Sequence, residues 1–259
     1  IGDVRAAIAA QFAREGVGNR IKPGQRVAIT AGSRGIDRID EVLKAVVDEV
    51  RALGAEPFLV PAMGSHGGAT AEGQLDLISH YGVTEERMGC PILSSMETVE
   101  LGYVENEVPV WIDKNAYGAD AIIPVGRVKP HTDFRGPVES GLMKMIAIGL
   151  GKQHGANFFH HQGMGEFHHL IPAVANYTIS RVNIPFGVAV IENGYGHLAQ
   201  AEAVPAERIF EREQELLRIA RGRMGRLPGE QVDVLIIDRI GKDISGDGAD
   251  PNVINRDVA

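Results

Sequence analysis

Cysteine is nearly absent from this chain: Cys90 is the single one among 259 residues. One thiol cannot staple the chain internally, and its isolation fits a reducing compartment, so a cytoplasmic protein is expected. Basic clusters are missing as well. The 26 Lys and Arg residues are scattered among 34 Asp and Glu, for a formal net charge of -8, which leaves no footprint for a nucleic acid. No apolar run approaches the roughly 20 residues needed to cross a bilayer. The opening IGDVRAAIAAQFAREG reads as an amphipathic helix rather than a signal peptide, so no membrane partner is expected. Tandem repeats and low-complexity tracts are lacking. So are the Walker pattern, a clean dinucleotide fingerprint after the first strand, H-E-x-x-H and Cys-x-x-Cys, which removes the best-defined nucleotide and zinc signatures.

What is present is an ordinary globular composition, 44% hydrophobic and 23% charged, in a chain long enough for one large or two ordinary domains with a full core. RVAIT, Arg26 to Thr30, follows the turn Lys22-Pro23-Gly24 and enters the loop Ala31-Gly32-Ser33-Arg34-Gly35, a strand ending in a loop. IDEVLKAVVDEVRALG then places Ile39, Val42, Leu43, Val46, Val47, Val50 and Leu53 at helical spacing until Gly54 stops it. PFLVPAM is a second strand, ending in Gly64-Ser65-His66-Gly67-Gly68, and TAEGQLDLISHYG resumes a helix with Thr70 as N-cap. Between Gly82 and Tyr117, TVELGYV and VPVWID are shorter β-like pieces suited to an antiparallel edge or an insertion.

DAIIPVGRV, FGVAVIENG and VDVLIID read as further buried strands. The last two are separated by the helix AERIFEREQELLRIARGRM, with Ile209, Phe210, Leu216, Leu217 and Ile219 on its apolar side. The alternation predicts an α/β fold with a mainly parallel sheet flanked by helices. Residues 1–230 are expected to form an α/β N-terminal catalytic domain and 231–259 the start of a second α/β domain. The sequence begins at Ile1 and stops at NVINRDVA just after a fresh strand and loop, so residues are expected to be missing at both ends.

Ligands of parallel sheets bind at the carboxyl ends of strands, which makes the strand-exit loops the place to search. The richest stretch runs from Lys129 to Gly163, KPHTDFRGPVESGLMKMIAIGLGKQHGANFFHHQG. His66 and His131 each follow a predicted buried strand, in a loop marked by glycine or proline, and two such imidazoles can exchange protons with opposite faces of one carbon centre. Arg34, on the first exit loop, is placed to hold a carboxylate through bidentate hydrogen bonds. Ordinary turn residues are the alternative for all three. Lys144 lies in the apolar run GLMKMIAIGL, where a lysine must snorkel, find a partner or be used chemically, for example as the attachment point of a cofactor. The Gly64–Gly68 amides either receive a phosphate or simply turn the chain.

Four of the nine histidines, His160, His161, His168 and His169, crowd into HHQGMGEFHH, and imidazole pairs bind zinc, nickel or copper. One reading is a zinc-dependent hydrolase with His160, His161 and one of His168 and His169 as ligands and Glu166 as base. Another is a cofactor-binding protein without catalysis.

Taken together, the loops resemble the nickel-dependent lactate racemase family and its broader set of 2-hydroxyacid racemases and epimerases. The resemblance rests on the order and spacing of Arg34, His66, His131, Lys144 and His160 and on the local sequences GSHGGAT, KPHTDF and NFFHHQG. It implies an isomerase that interconverts the two hands of a 2-hydroxyacid by reversible proton-coupled hydride transfer to a nickel-pincer nucleotide. On that resemblance His66 and His131 are the acid/base pair and Arg34 binds the substrate carboxylate. Lys144 tethers the nucleotide and His160, with His161 as the alternative, ligates nickel. It also implies a small-molecule substrate, cofactor-biosynthesis proteins as partners in loading, and a second domain that closes the active site. The chain departs from the lactate enzyme in having the longer TDFRGPVESGLM between histidine and lysine, and GKDISGDGADPNV where that enzyme carries a glutamine and a lysine. These departures leave both lactate and a larger or differently charged 2-hydroxyacid open as the substrate.

Overall fold

Local capping and the period of the apolar residues set most element boundaries. Asp3 opens α1 (Val4–Phe12) by accepting from the Ala6 N–H at 2.9 Å. β1 (Arg26–Ala31) is followed by α2 (Ile39–Ala52), which buries Ile39, Val42, Leu43, Val46, Val47 and Val50, the stripe expected from its spacing. Next come β2 (Glu56–Pro61) and α3 (Ala71–Ser79), the latter capped by Thr70, whose hydroxyl accepts from the Gly73 N–H at 3.0 Å. The one-turn α4 (Glu85–Met88) leads to an antiparallel hairpin, β3 (Thr98–Val104) and β4 (Val108–Asp113), and to the short α5 (Lys114–Tyr117).

Two short strands, β5 (Ala121–Ile123) and β6 (Val125–Arg127), precede α6 (Leu142–Lys144) and a π-helical turn, Met145–Gly149. The chain then runs through α7 (Lys152–Gln162), α8 (Phe167–Arg181), β7 (Phe186–Glu192), β8 (Leu198–Pro205), α9 (Ile209–Arg223) and α10 (Pro251–Ile254). This computed structural model describes residues 1–259 except 106, 230–231, 242–244, 246–247 and 255–259, so the last part of NVINRDVA lies outside the described residues.

The fold is α/β with a parallel sheet flanked by helices, as the alternation of elements predicts. β1 pairs in parallel with β2 on one side and β5 on the other, and β6 pairs in parallel with β7, whose far edge is covered by antiparallel β8. DAIIPVGRV is thus two strands rather than one. Pro124 has no N–H to give a ladder and interrupts it, while its carbonyl still accepts from the Val188 N–H at 2.8 Å. Across the break the Thr30 hydroxyl of β1 accepts from the Val125 N–H at 2.9 Å, so the two parts of the sheet meet around this proline.

Alternate strand residues feed two cores. Val27, Ile29, Leu59, Ile123 and Val188 pack with α1 and α2, whereas Ala28, Phe58, Val60, Ile122 and Ala189 face α7, α8, α9 and the hairpin. Each fully buried aliphatic side chain of this kind contributes about 1.5–3 kcal/mol.

One further expectation fails, and one strand carries no clear signal in the sequence. VDVLIID is not a strand: Val234 is 76% and Ile236 84% exposed, and among the described residues no neighbouring strand offers them a ladder. β8 was not expected, because LAQAEAVP is rich in alanine and alternates weakly. Its stability comes from pairing with β7 along the whole strand rather than from propensity. Among the described residues no helix is long and apolar enough to cross a membrane.

Candidate functional site

The parallel strands β1, β2 and β6 send their exit loops to one edge of the sheet, and these loops carry Arg34, His66 and His131. The His66 loop is shaped by glycine. Gly64 has φ +61° and a Cβ there would approach Ala156 Cβ at 3.2 Å; Gly67 has φ +68° and a Cβ would lie 2.7 Å from the Gly73 carbonyl carbon. Only glycine fits both the backbone and the space. His66 itself is exposed, and its Nδ1 lies 2.5 Å from Ser33 Oγ. Ser33 therefore orients the imidazole, and its carbonyl is held in turn by the Tyr81 hydroxyl at 3.2 Å.

The His131 loop is organised by a buried carboxylate. Glu139 accepts from the His131 N–H at 2.7 Å and is paired with Arg221 at 2.5 Å. His131 Nδ1 accepts from the Asp133 N–H at 3.0 Å, and its ring stacks at 4.4 Å on Phe134. With 13% of its side chain exposed, the imidazole is pushed down to about 3, first by burial and then by the charges of Lys144, Lys129, Arg135 and Arg34. At neutral pH it is uncharged, the state in which one ring nitrogen can take a proton.

Lys144 ends α6, directly before the π-helical turn. Its ammonium faces the Phe134 ring at 5.8 Å. Burial, then Arg34 and Lys129, lower the amine to about 8, with Asp133 opposing them, so an appreciable nucleophilic fraction exists near neutral pH. The segment is held from below by Glu213 of α9, whose carboxylate accepts from the Met143 N–H at 3.0 Å.

Arg34, His131 and Lys144 are thus brought within electrostatic reach of one another, and Ser33 links His66 to the same loop as Arg34. His160, exposed in the last turn of α7, joins by way of aromatics: its ring lies 5.9 Å from Phe167, which lies 5.4 Å from Phe134. His161 is turned back, its Nδ1 2.6 Å from the Asn157 carbonyl.

The HHQGMGEFHH cluster does not converge. His168 Nδ1 lies 2.6 Å from the Gly165 carbonyl and His169 Nε2 2.9 Å from Glu105 of the hairpin. Among the described residues no three His, Cys, Asp or Glu side chains are grouped as a metal site. The cluster spans the end of α7 and the start of α8, and the turn between the two helices sends its imidazoles in different directions. Cys90 is buried, and burial pushes its thiol up to about 11, which leaves it inert.

Residues 2–168, which include every one of these loops, match the family model of the lactate racemase N-terminal domain. The chain belongs to that family. Among solved structures, the lactate racemase apoprotein from Thermoanaerobacterium thermosaccharolyticum is similar, with a TM-score of 0.61 at 17% identity over 83% of this chain. At that identity the likeness is one of fold, and the chain spans 55% of the length of that protein. No curated protein matches the chain in sequence.

Beyond the residues that spacing and motif single out, Ser33, Lys129, Glu139 and Glu213 shape the site. Lys129 was legible as part of KPH. The others act through contacts between distant segments, which spacing along the chain does not encode.

Proposed function

We propose that the chain supplies the catalytic groups of a 2-hydroxyacid racemase or epimerase that works with a nickel-pincer nucleotide. The observation that carries this reading is the meeting of Arg34, His131 and Lys144, drawn from separate segments, in a partly desolvated site whose net charge is positive. Such a site attracts an anionic substrate. Residues 1–230 would form the catalytic domain and 231–259 the start of a second α/β domain.

The residues present fit the nucleotide. Lys144 offers a desolvated amine for covalent attachment, and His160 offers an imidazole at the far side of the Phe134–Phe167 pair. When bound, the group supplies a reversible acceptor for hydride from the substrate carbon. The protein does the rest. Arg34 holds the substrate carboxylate with paired N–H donors. His131, uncharged at neutral pH, accepts the hydroxyl proton as the carbon is oxidised, and His66, oriented by Ser33, performs the same exchange from the other face. After the planar 2-oxoacid reorients, return of hydride and proton gives the opposite hand.

The test is intact mass, metal content and visible absorption of the full-length protein produced in cells that make the pincer nucleotide, followed by a panel of chiral 2-hydroxyacids watched for loss of optical activity. Nickel, an adduct on the peptide containing Lys144 and racemisation are expected. Stoichiometric zinc with an unmodified lysine would overturn the reading in favour of a hydrolase. Nickel and an adduct without turnover of any acid would reduce the chain to a cofactor-binding relative.

A further inference from the structure

Lys152, at the start of α7, is a costly residue to place where the fold places it. Its side chain is fully buried, and its backbone takes φ +53°, a left-handed conformation costly for a residue with a Cβ. Taking an amine out of water is also costly. Its amine donates to the Pro61 carbonyl at 2.6 Å and to Gln74 Oε1 at 2.8 Å, and it is ion-paired with the buried carboxylate of Asp113 at 3.2 Å. These come from the end of β2, from α3 and from the end of β4.

Gln74 is fully buried too, and it uses its amide group entirely on this junction. While its oxygen accepts from Lys152, its Nε2 donates to the Gly64 carbonyl at 3.0 Å and the His66 carbonyl at 3.2 Å. The Gly64 N–H donates to the Gly149 carbonyl at 3.2 Å, at the end of the π-helical turn that follows Lys144. Along the chain Lys152 lies between Lys144 and His160, and across space it is one side chain away from the backbone of His66.

We propose that Lys152 and Gln74 are positioning residues that hold the His66 loop in register with the segment running from Lys144 to His160. An apolar residue would fill the space of Lys152 without the desolvation cost, but it could not grip three segments at fixed angles. The assignment of a reason for positioning rests on the reading of His66 as an acid/base residue, whereas the coupling itself is a property of the fold.

The test uses the full chain with 15N-labelled histidine, the His66 imidazole signals being assigned by their loss in His66→Gln. Gln74→Glu keeps an acceptor for Lys152 and removes both donors to the loop. The double variant Lys152→Met with Asp113→Asn removes the buried pair without stranding a charge. Both are expected to fold, to shift the His66 ring nitrogens away from their Ser33-bonded values toward those of a freely exchanging tautomer mixture, and to speed amide exchange at 64–68 by about tenfold. A lowered Tm with unchanged His66 signals in both variants would make the cluster mere scaffold and overturn the proposal. Neither readout needs turnover. If the loaded wild-type protein converts no 2-hydroxyacid, the functional reading falls while the ring-nitrogen shifts still decide this one. If it does convert one, Gln74→Glu is expected to lower kcat by about tenfold or more with nucleotide loading unchanged.

Discussion

Two regions of the molecule are rich in histidine or lysine, and they differ in kind. The loop and helix from 128 to 144 hold one mostly buried imidazole, lowered by burial and then by Lys144, Lys129, Arg135 and Arg34, and two desolvated amines, Lys129 and Lys144. The segment from 160 to 169 holds four exposed imidazoles, three of which are satisfied by a nearby carbonyl or by Glu105. Exposed pairs such as His169 with Glu105 are worth about 0–1 kcal/mol, whereas desolvation amid like charges moves His131 from 6.5 to about 3. Crowding in sequence does not make a site; enclosure by distant segments does.

The largest expected effect separates the two regions directly. In nucleotide-loaded protein, His131→Ala or His66→Ala should lower 2-hydroxyacid interconversion by roughly 10²–10⁴-fold, the usual worth of a positioned acid or base, with loading intact. His168→Ala and His169→Ala should change it less than about twofold. Equal losses in all four variants, read as decay of optical activity, would dissolve the contrast.

Stability against pH sharpens it further. The folded-state value of His131 lies below that of the unfolded chain, so as pH falls from about 6.5 toward about 3 the unfolded state takes up the proton first and wild type loses stability. At about 1.4 kcal/mol per unit, a few kcal/mol separate wild type from His131→Asn across that window. Urea unfolding at a series of pH values measures this. Parallel curves would mean that the imidazole is in water.

The smallest effect concerns the support under Lys144. Glu213 is pushed up to about 7 by burial, above the ordinary carboxylate value, so its contribution is full below about 4.5 and is lost as pH rises through 7. Glu213→Gln keeps an acceptor for the Met143 N–H and should raise Tm by a few degrees at pH 8, with no gain at pH 5. A uniform fall at both pH values would show that the carboxylate, rather than its shape, is needed.

Much of the fold was legible because its signals are local. The stripe from Ile39 to Val50 predicts α2, Thr70 predicts the start of α3, and the β-branched runs predict β1, β2 and β7. The misses have one cause. VDVLIID has the composition of a strand but no partner among the described residues, and LAQAEAVP lacks the composition but lies along β7. Pairing outweighs propensity in a sheet.

The order of Arg34, His66, His131, Lys144 and His160, each in a loop or helix next to a predictable element, was determined by the sequence alone. So was membership of the family, whose motifs are contiguous words such as GSHGGAT and KPHTDF. Only the tertiary structure decided that His131 is desolvated and neutral, that Lys144 is near 8, and that Ser33 meets His66, Gln74 meets Lys152 and Glu213 meets the Met143 N–H. Burial, charge repulsion and hydrogen bonds depend on distances in space, and residues 33 and 66, or 74 and 152, become neighbours only when the sheet brings their loops to one edge.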